Sequence, residues 1–389
     1  MRFCTLLRMR STDRHTVASL GSSMAQDMQK PIVKPVIIHQ KNMHVVPHFC
    51  RSVPPHLDGN TYGAKDASAV NPIDFSYLRM YNHGVYLYFY SDSFFQGGIH
   101  MNYVFMTGSD SDLPYDLKVK YDIPVVYMPY ALNGKEYFDD LGQTINSRDY
   151  FNAMRNGAAP ITSALNETAY MEIFEPILKE QDLLFVAFSS KMSSTIHAIE
   201  KTRDELLKKY PGRRFELVDT LSISGPMTLL ILKAHEMYRN GASIDEVAGW
   251  LRENYDRANA FFMVDDLKYL KRGGRISPTA ATIGSMLDLK PIITETREGT
   301  LQAISKQRGR RKAISYMVEQ TLATLDDPKE SVMIILNADC PAEAENFKKE
   351  LLAKVPELNI RIDNVGPVIG AHCGPGTLAI CFMGKKRPY

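Results

Sequence analysis

Apolar and polar positions fall into a regular pattern only from Met101 onward. Tyr103–Thr107 (YVFMT) is a short apolar run that stops at Gly108-Ser109-Asp110-Ser111, as a strand entering a polar loop does. Asp112-Leu113-Pro114 starts a predicted helix through Tyr121, and Ile123–Tyr130 (IPVVYMPY) reads as a second buried strand. Helices are predicted near Ser147–Asn156 and over Ala164–Gln181, the latter behind the polar turn Thr162-Ser163. Leu183–Phe188 (LLFVAF) is the clearest buried strand and ends at Ser189-Ser190. Ser193–Tyr210 is amphipathic, with Ile196, Ile199, Leu206 and Leu207 near one face. Phe215–Val218 is another strand, followed by helices over Gly225–Asn240 and Ile244–Ala258. Strands and helices in this alternation predict an α/β fold, a parallel sheet with helices on both faces.

A different rhythm begins at Phe261–Val264. A short helix after Asp265-Asp266-Leu267 leads into the loop Lys271-Arg272-Gly273-Gly274-Arg275. Strands are then predicted at Pro291–Glu295, Val332–Asn337, Ile360–Val365 and Thr377–Gly384, with helices at Arg310–Leu325 and Ala342–Val355. Mixed lengths of this kind point to a second, α+β domain. The expected organisation is an irregular extension over 1–100, an α/β domain over 101–260 and an α+β domain over 261–389.

Charge sharpens the first boundary. Residues 1–100 carry 10 Lys+Arg, 6 Asp, no Glu and 7 of the 10 His. The remaining 36 basic and 38 acidic residues make 101–389 net −2, so the overall charge of +2 comes from the first hundred residues. It is therefore no signature of a nucleic-acid partner. Arg2, Arg8, Arg10 and Arg14 loosely suggest a targeting peptide, but Thr5-Leu6-Leu7 is far short of a secretory apolar run of about 7–15 residues. Gln96-Gly97-Gly98-Ile99-His100 just before Met101 permits a codon choice containing a purine-rich bacterial ribosome-binding sequence. The expectation is that translation starts at Met101 and that 1–100 is leader read in frame. No run of about 18 uncharged apolar residues predicts an integral membrane segment.

The chemistry-bearing residues cluster at strand ends. Ser109, Thr162-Ser163 and Ser189-Ser190 all precede predicted helices, where ligands of parallel sheets bind and free helix amides are offered. Together they would hold a carboxylate or phosphate with neutral donors. Each is equally an ordinary helix cap. His372 sits in Val365–Gly376 (VGPVIGAHCGPG), where glycines allow close backbone approach to a ligand. His197 and His235 lie in helical patterns and read as structural. Lys271–Arg275 suits an anion or an acidic partner, while Arg308-Gly309-Arg310-Arg311-Lys312 reads first as a solvated face. No phosphate loop, GxGxxG, HExxH or GxSxG is present. The five cysteines form no CxxC pair, which predicts no metal and suits a reducing cytoplasm.

Six segments together resemble the DegV family of bacterial fatty-acid-binding proteins, over about 103–386. They are Thr107–Pro114 (TGSDSDLP), Ile161–Ala164 (ITSA), Ser189–Thr195 (SSKMSST), Val264–Ser277 (VDDLKYLKRGGRIS), Leu289–Ile292 (LKPI) and Val365–Gly376. The resemblance implies one long-chain fatty acid, bound between the two domains without a cofactor. Thr162, Ser190 and His372 would hold its carboxylate, with Ser163, Ser193 and Arg275 as further contacts. It also implies a carrier without its own nucleophile. Such a carrier presents the fatty acid to a separate fatty acid kinase subunit, which makes acyl phosphate in the supply of phospholipid synthesis. Contact with a membrane would be transient and confined to its surface.

The chain departs from the family pattern at Gly108, where Asp is usual and Asp110 stands nearby, at Ala164-Leu165 in place of Gln-Pro, and at Lys191 and Ser194 in place of glycines. Other readings are a serine hydrolase acting on an acyl ester through Ser190 and His372, a phosphotransferase, and a structural or regulatory binding module.

Overall fold

The computed structural model describes residues 102–276, 289–327 and 332–389, together with four short strands nearer the start. The chain divides into two compact units, Met1–Gly98 and Ile99–Tyr389. In the first, Arg8–Arg10 pairs antiparallel with His44–Val46, and Leu78–Tyr81 with Gly84–Leu87. The expected leader over 1–100 otherwise lies outside the described residues, as do Met101 and Ser277.

The second unit runs β1 (Tyr103–Gly108), α1 (Tyr115–Tyr121), β2 (Val125–Val126), β3 (Pro129–Leu132), β4 (Lys135–Phe138), α2 (Ser147–Arg155), β5 (Ile161–Thr162), α3 (Glu167–Glu180), β6 (Asp182–Ala187), α4 (Thr195–Lys209), β7 (Phe215–Asp219), α5 (Ser224–Arg239) and α6 (Ile244–Asn254). It continues β8 (Ala258–Met263), α7 (Lys268–Arg272), β9 (Leu289–Glu295), β10 (Leu301–Arg308), α8 (Arg310–Thr324), β11 (Val332–Asn337), α9 (Pro341–Lys354), β12 (Asn359–Asn364), α10 (Pro367–Cys373) and β13 (Leu378–Met383).

Strands β7, β6, β1 and β2 form, in that order, a parallel sheet. Its central strand β6 shows why the segment is apolar throughout rather than alternating. Leu183, Phe185 and Ala187 enter a core with Tyr170, Phe174, Ile196 and Ile199 of α3 and α4. Leu184 and Val186 enter another with Met227, Leu230, Val247 and Leu251 of α5 and α6. A strand buried on both faces has no polar side to show.

The second sheet has the order β10-β9-β8-β13-β11-β12 and is mixed, with β11 and β12 its parallel pair. Here alternation is functional. Phe261 and Met263 of β8 pack under α8 and α9 with Met317 and Phe347. Ala260 and Phe262 face the other way, together with Leu336, Ala379 and Cys381. Helix α5 is shared: Leu229 packs against this inner face while Met227, Leu230 and Ile231 serve the parallel-sheet core.

The expected fold class is the observed one, with local differences. The strand predicted over Ile123–Tyr130 splits into β2 and β3, with Pro124 and Pro129 removing ladder donors within it. The helix predicted to reach Ala258 stops at Asn254, and β8 begins at Ala258. Strands β4, β5 and β10 and helix α10 were not predicted, and Thr162, read as part of a polar turn, lies in β5.

Candidate functional site

A cavity of about 280 Å³ lies between the parallel-sheet loops and the inner face of the second sheet. That is near the lower end of ligand pockets, roughly 300–1,000 Å³. Its floor is apolar and buried, with Ala260, Phe262, Leu336, Ala379 and Cys381 contributed by alternate positions of β8, β11 and β13. Its mouth is polar and reaches solvent, for the lining residues Ser163, Ala164 and Ser194 are exposed.

Thr162 and His372 meet at this mouth. Thr162 is held by β5, whose partner is Tyr130 of β3. His372 rides on α10, a helix opened by Pro367 and closed by Gly374 in the left-handed region at φ +80°. Thr162 Oγ1 and His372 Nε2 share a hydrogen bond of 3.0 Å, across 210 positions of sequence. His372 Nδ1 has no hydrogen-bond partner. Burial first, then the charges of Arg275 and Arg272, push the imidazole down to about 4, so it stands neutral at ordinary pH.

The Arg-Gly-Gly-Arg loop acquires a physical reason here. A Cβ on Gly273 would lie 2.2 Å from His372 Nδ1, so only glycine lets the loop pass behind the ring. Arg275 then turns into the cavity lining, with Nε donating to the Met192 carbonyl at 3.1 Å and the guanidinium also reaching the Gly273 carbonyl. Burial lowers its pKa from the ordinary arginine value. Lys271 and Arg272 are exposed.

The expected hydroxyls separate into lining and structural groups. Thr162, Ser163 and Ser193 line the cavity. Ser193 Oγ donates to Thr195 Oγ1 and accepts the Thr195 N–H, at 2.9 and 3.2 Å, which fixes its place before α4. The cavity lining does not include Ser190, whose backbone N–H donates to Asp219 Oδ1 at 3.2 Å. Of the two serines expected in the Ser189–Thr195 loop, Ser193 is the one that reaches the lining. Ser189 Oγ donates to the Gly299 carbonyl at 2.7 Å, and Ser109 Oγ accepts the Met128 N–H at 3.0 Å, so both brace loops. Lys191 is exposed and outside the lining.

The Ser190–His372 pair of the hydrolase reading is not a hydrogen-bonded one. His372 addresses Thr162 rather than Ser190, and no carboxylate orients its other nitrogen. Arg310 pairs with Asp265 and Glu343, which makes the second basic run partly structural. His235 is buried beside Phe105, with ring centroids 5.4 Å apart, and His197 is exposed beside Glu200.

Two features were not anticipated. Glu295 lines the cavity and is paired with the fully buried Arg387 at 2.6 Å. Arg387 also donates to the carbonyls of Ala258, Leu221 and Thr296 at 2.8, 2.8 and 2.9 Å, tying both halves together beneath the cavity. Asp112 makes a second tie, accepting from Ser224 Oγ and from the Gly366 N–H at 2.9 Å. Burial pushes Asp112 and Glu295 up to about 7.

Among the described residues, no helix is long and apolar enough to cross a membrane. The family model described as "Uncharacterised protein, DegV family" matches residues 104–385. A DegV domain-containing protein of Clostridium perfringens is 36% identical over 286 residues, 73% of this chain and 98% of its own length. A solved DegV family structure from Thermus thermophilus, described by its fatty acid binding, is 29% identical with a TM-score of 0.66, covering 73% of this chain and 100% of its own. DegV from Bacillus subtilis, described as a fatty acid binding protein, is 26% identical with a TM-score of 0.62, covering 74% and 100%.

Proposed function

Because the chain belongs to the DegV family, we propose that its cavity holds one long-chain fatty acid, tail on the apolar floor and carboxylate at the mouth. The observation that carries this is the polarity gradient itself: an apolar, buried floor and a solvent-reaching rim of Thr162, Ser193, Arg275 and His372. Relatives described as fatty acid binding support it.

Each methylene buried contributes roughly 0.8 kcal/mol, so about 12 of them supply roughly 10 kcal/mol before ordering costs. The tail thus provides affinity, and the rim provides orientation. Thr162 donates to the carboxylate, Ser193 does so by turning its hydroxyl from Thr195, Arg275 supplies positive charge, and neutral His372 places its ring nitrogen beside Thr162. Ser163 and the backbone at the mouth complete the rim.

In this reading the protein is a carrier, with 101–260 carrying the rim hydroxyls and 261–389 closing the acyl site. A carboxylate at an open mouth is accessible to a separate fatty acid kinase, which would transfer phosphoryl to it and make the acyl phosphate used in bacterial phospholipid synthesis. The free thiols of Cys340, Cys373 and Cys381 support a cytoplasmic setting.

Native mass spectrometry after gentle purification tests the reading. A co-purified or added mass matching a long-chain fatty acid is expected, and it should be lost on delipidation. Absence of any such complex, or ester hydrolysis abolished by Ser190→Ala, would overturn it. Comparing Ser190→Ala with Ser193→Ala in the same titration identifies which hydroxyl serves the carboxylate.

A further inference from the structure

A second polar group faces the cavity from a different element. Asp110 lies on the short turn Ser109–Ser111 that follows β1 and is 5% exposed. It lines the cavity, yet its Oδ1 is buried without any hydrogen-bond partner. The polar side chains beside it in sequence are committed elsewhere. Ser109 Oγ takes the Met128 N–H, Ser111 Oγ donates to the Gly108 carbonyl at 2.7 Å, and Asp112 is held by Ser224 and Gly366. Glu295, the other carboxyl of the lining, has Arg387 and the Ile223 N–H.

The space for this carboxyl comes from Gly108. A Cβ at that position would fall 2.5 Å from Asp110 Oδ1 and 3.0 Å from Met128 Cε. Any larger residue at 108 would drive the carboxyl out of its present place. The chain therefore keeps a buried, unpaired acceptor beside Met128, where an oxygen without a partner costs free energy.

A plain methylene chain beside Oδ1 leaves that cost standing. A hydroxyl on the chain removes it by donating to the oxygen. Burial pushes the Asp110 carboxyl up to about 7, so near neutral pH part of the population is the acid and also offers an O–H to the hydroxyl oxygen. We propose that Asp110 is a specificity-determining residue that recognises a hydroxyl on the acyl chain, making monohydroxy fatty acids the preferred ligand class. This rests on the fatty-acid reading above and adds to it a second polar contact, contributed by the turn after β1 rather than by the elements that carry the rim.

The test uses delipidated full-length protein and a titration of palmitic acid against a positional series of monohydroxypalmitic acids. At least one isomer is expected to bind about tenfold more tightly than palmitic acid, equivalent to ~1.4 kcal/mol. That ratio should fall to near parity in Asp110→Leu and persist in Asp110→Asn, which keeps an acceptor oxygen; circular dichroism confirms that both variants fold. Tight palmitate binding with no preferred isomer overturns the proposal and leaves the fatty-acid reading intact. So does a preference that survives in Asp110→Leu. Binding of neither ligand overturns both.

Discussion

Replacing Arg387 with methionine keeps much of the side-chain volume and removes the cation under the cavity. The variant leaves Glu295 buried without its partner and frees the carbonyls of Ala258, Leu221 and Thr296. Breaking a buried ion pair on one side costs roughly 3–5 kcal/mol, most of it the unpaired charge. At about 2–4 °C of Tm per kcal/mol for a body of this size, thermal unfolding should fall by roughly 10 °C. The loss should depend on pH in a defined direction. Glu295 already titrates near 7 rather than at 4.5, so the folded state keeps a proton that the unfolded chain gives up. Stability from such a group is present below 4.5 and is lost as pH rises through the folded value. Without Arg387 the folded value climbs further, so the deficit should be larger at about pH 8 than at about pH 5. Adding Glu295→Gln to the variant should recover part of the stability and remove the extra pH dependence. Calorimetry on ligand-free protein reads all of this. A Tm change under about 3 °C, or a deficit equal at both pH values, would refute the argument that the pair is a closed, desolvated unit.

Further outcomes follow from the rim. Gly273→Ala brings a methyl group onto His372 and should weaken fatty acid binding about tenfold by displacement titration, whereas Gly249→Ala, in open space, should change nothing. Thr162→Val keeps the shape and loses the hydroxyl, so calorimetric affinity should drop by roughly tenfold or more; a change within about twofold would exclude direct carboxylate contact. In ligand-free protein, nitrogen-detected NMR should find His372 neutral down to its midpoint near 4; a midpoint at the ordinary 6.5 contradicts its burial beside two arginines. Tyr150→Phe removes the 2.8 Å bond to the Pro367 carbonyl that anchors α10 and should cost about 1 kcal/mol in denaturant unfolding.

The sequence was most legible where local pattern and burial agree. Strand β6 could be read because both of its faces are buried, and Phe215–Val218 because Phe215 and Val218 each reach one of the two cores. The β3–β4 hairpin carried a signal that went unused: Asn133-Gly134 adopts φ of 52° and 75°, the turn that this dipeptide favours between strands. Helix α10 was hidden by its glycines, which read as turns although Pro367 at the start and Gly374 at the end are ordinary helix boundaries. Thr162 and His372 were legible as candidates, but nothing in their spacing shows that they meet across 210 residues. Ser190 and Ser193 share one loop, and only its three-dimensional course decides which of them turns inward. The Glu295–Arg387 pair was invisible because 92 residues separate partners whose neighbours carry no motif.

Helix α5 has a final consequence for how lipid gets in and out. Its residues fill the cores of both halves at once, Leu229 on one side and Met227, Leu230 and Ile231 on the other. The halves therefore cannot swing apart like jaws without tearing a buried helix from one of its two seats. If the cavity holds a fatty acid as proposed, exchange would run lengthwise through the rim, tail leading inward and carboxylate last. The proposal then expects substitutions in the Thr162 and Ser193 loops to change the exchange rate more than substitutions in α5 that leave the fold intact.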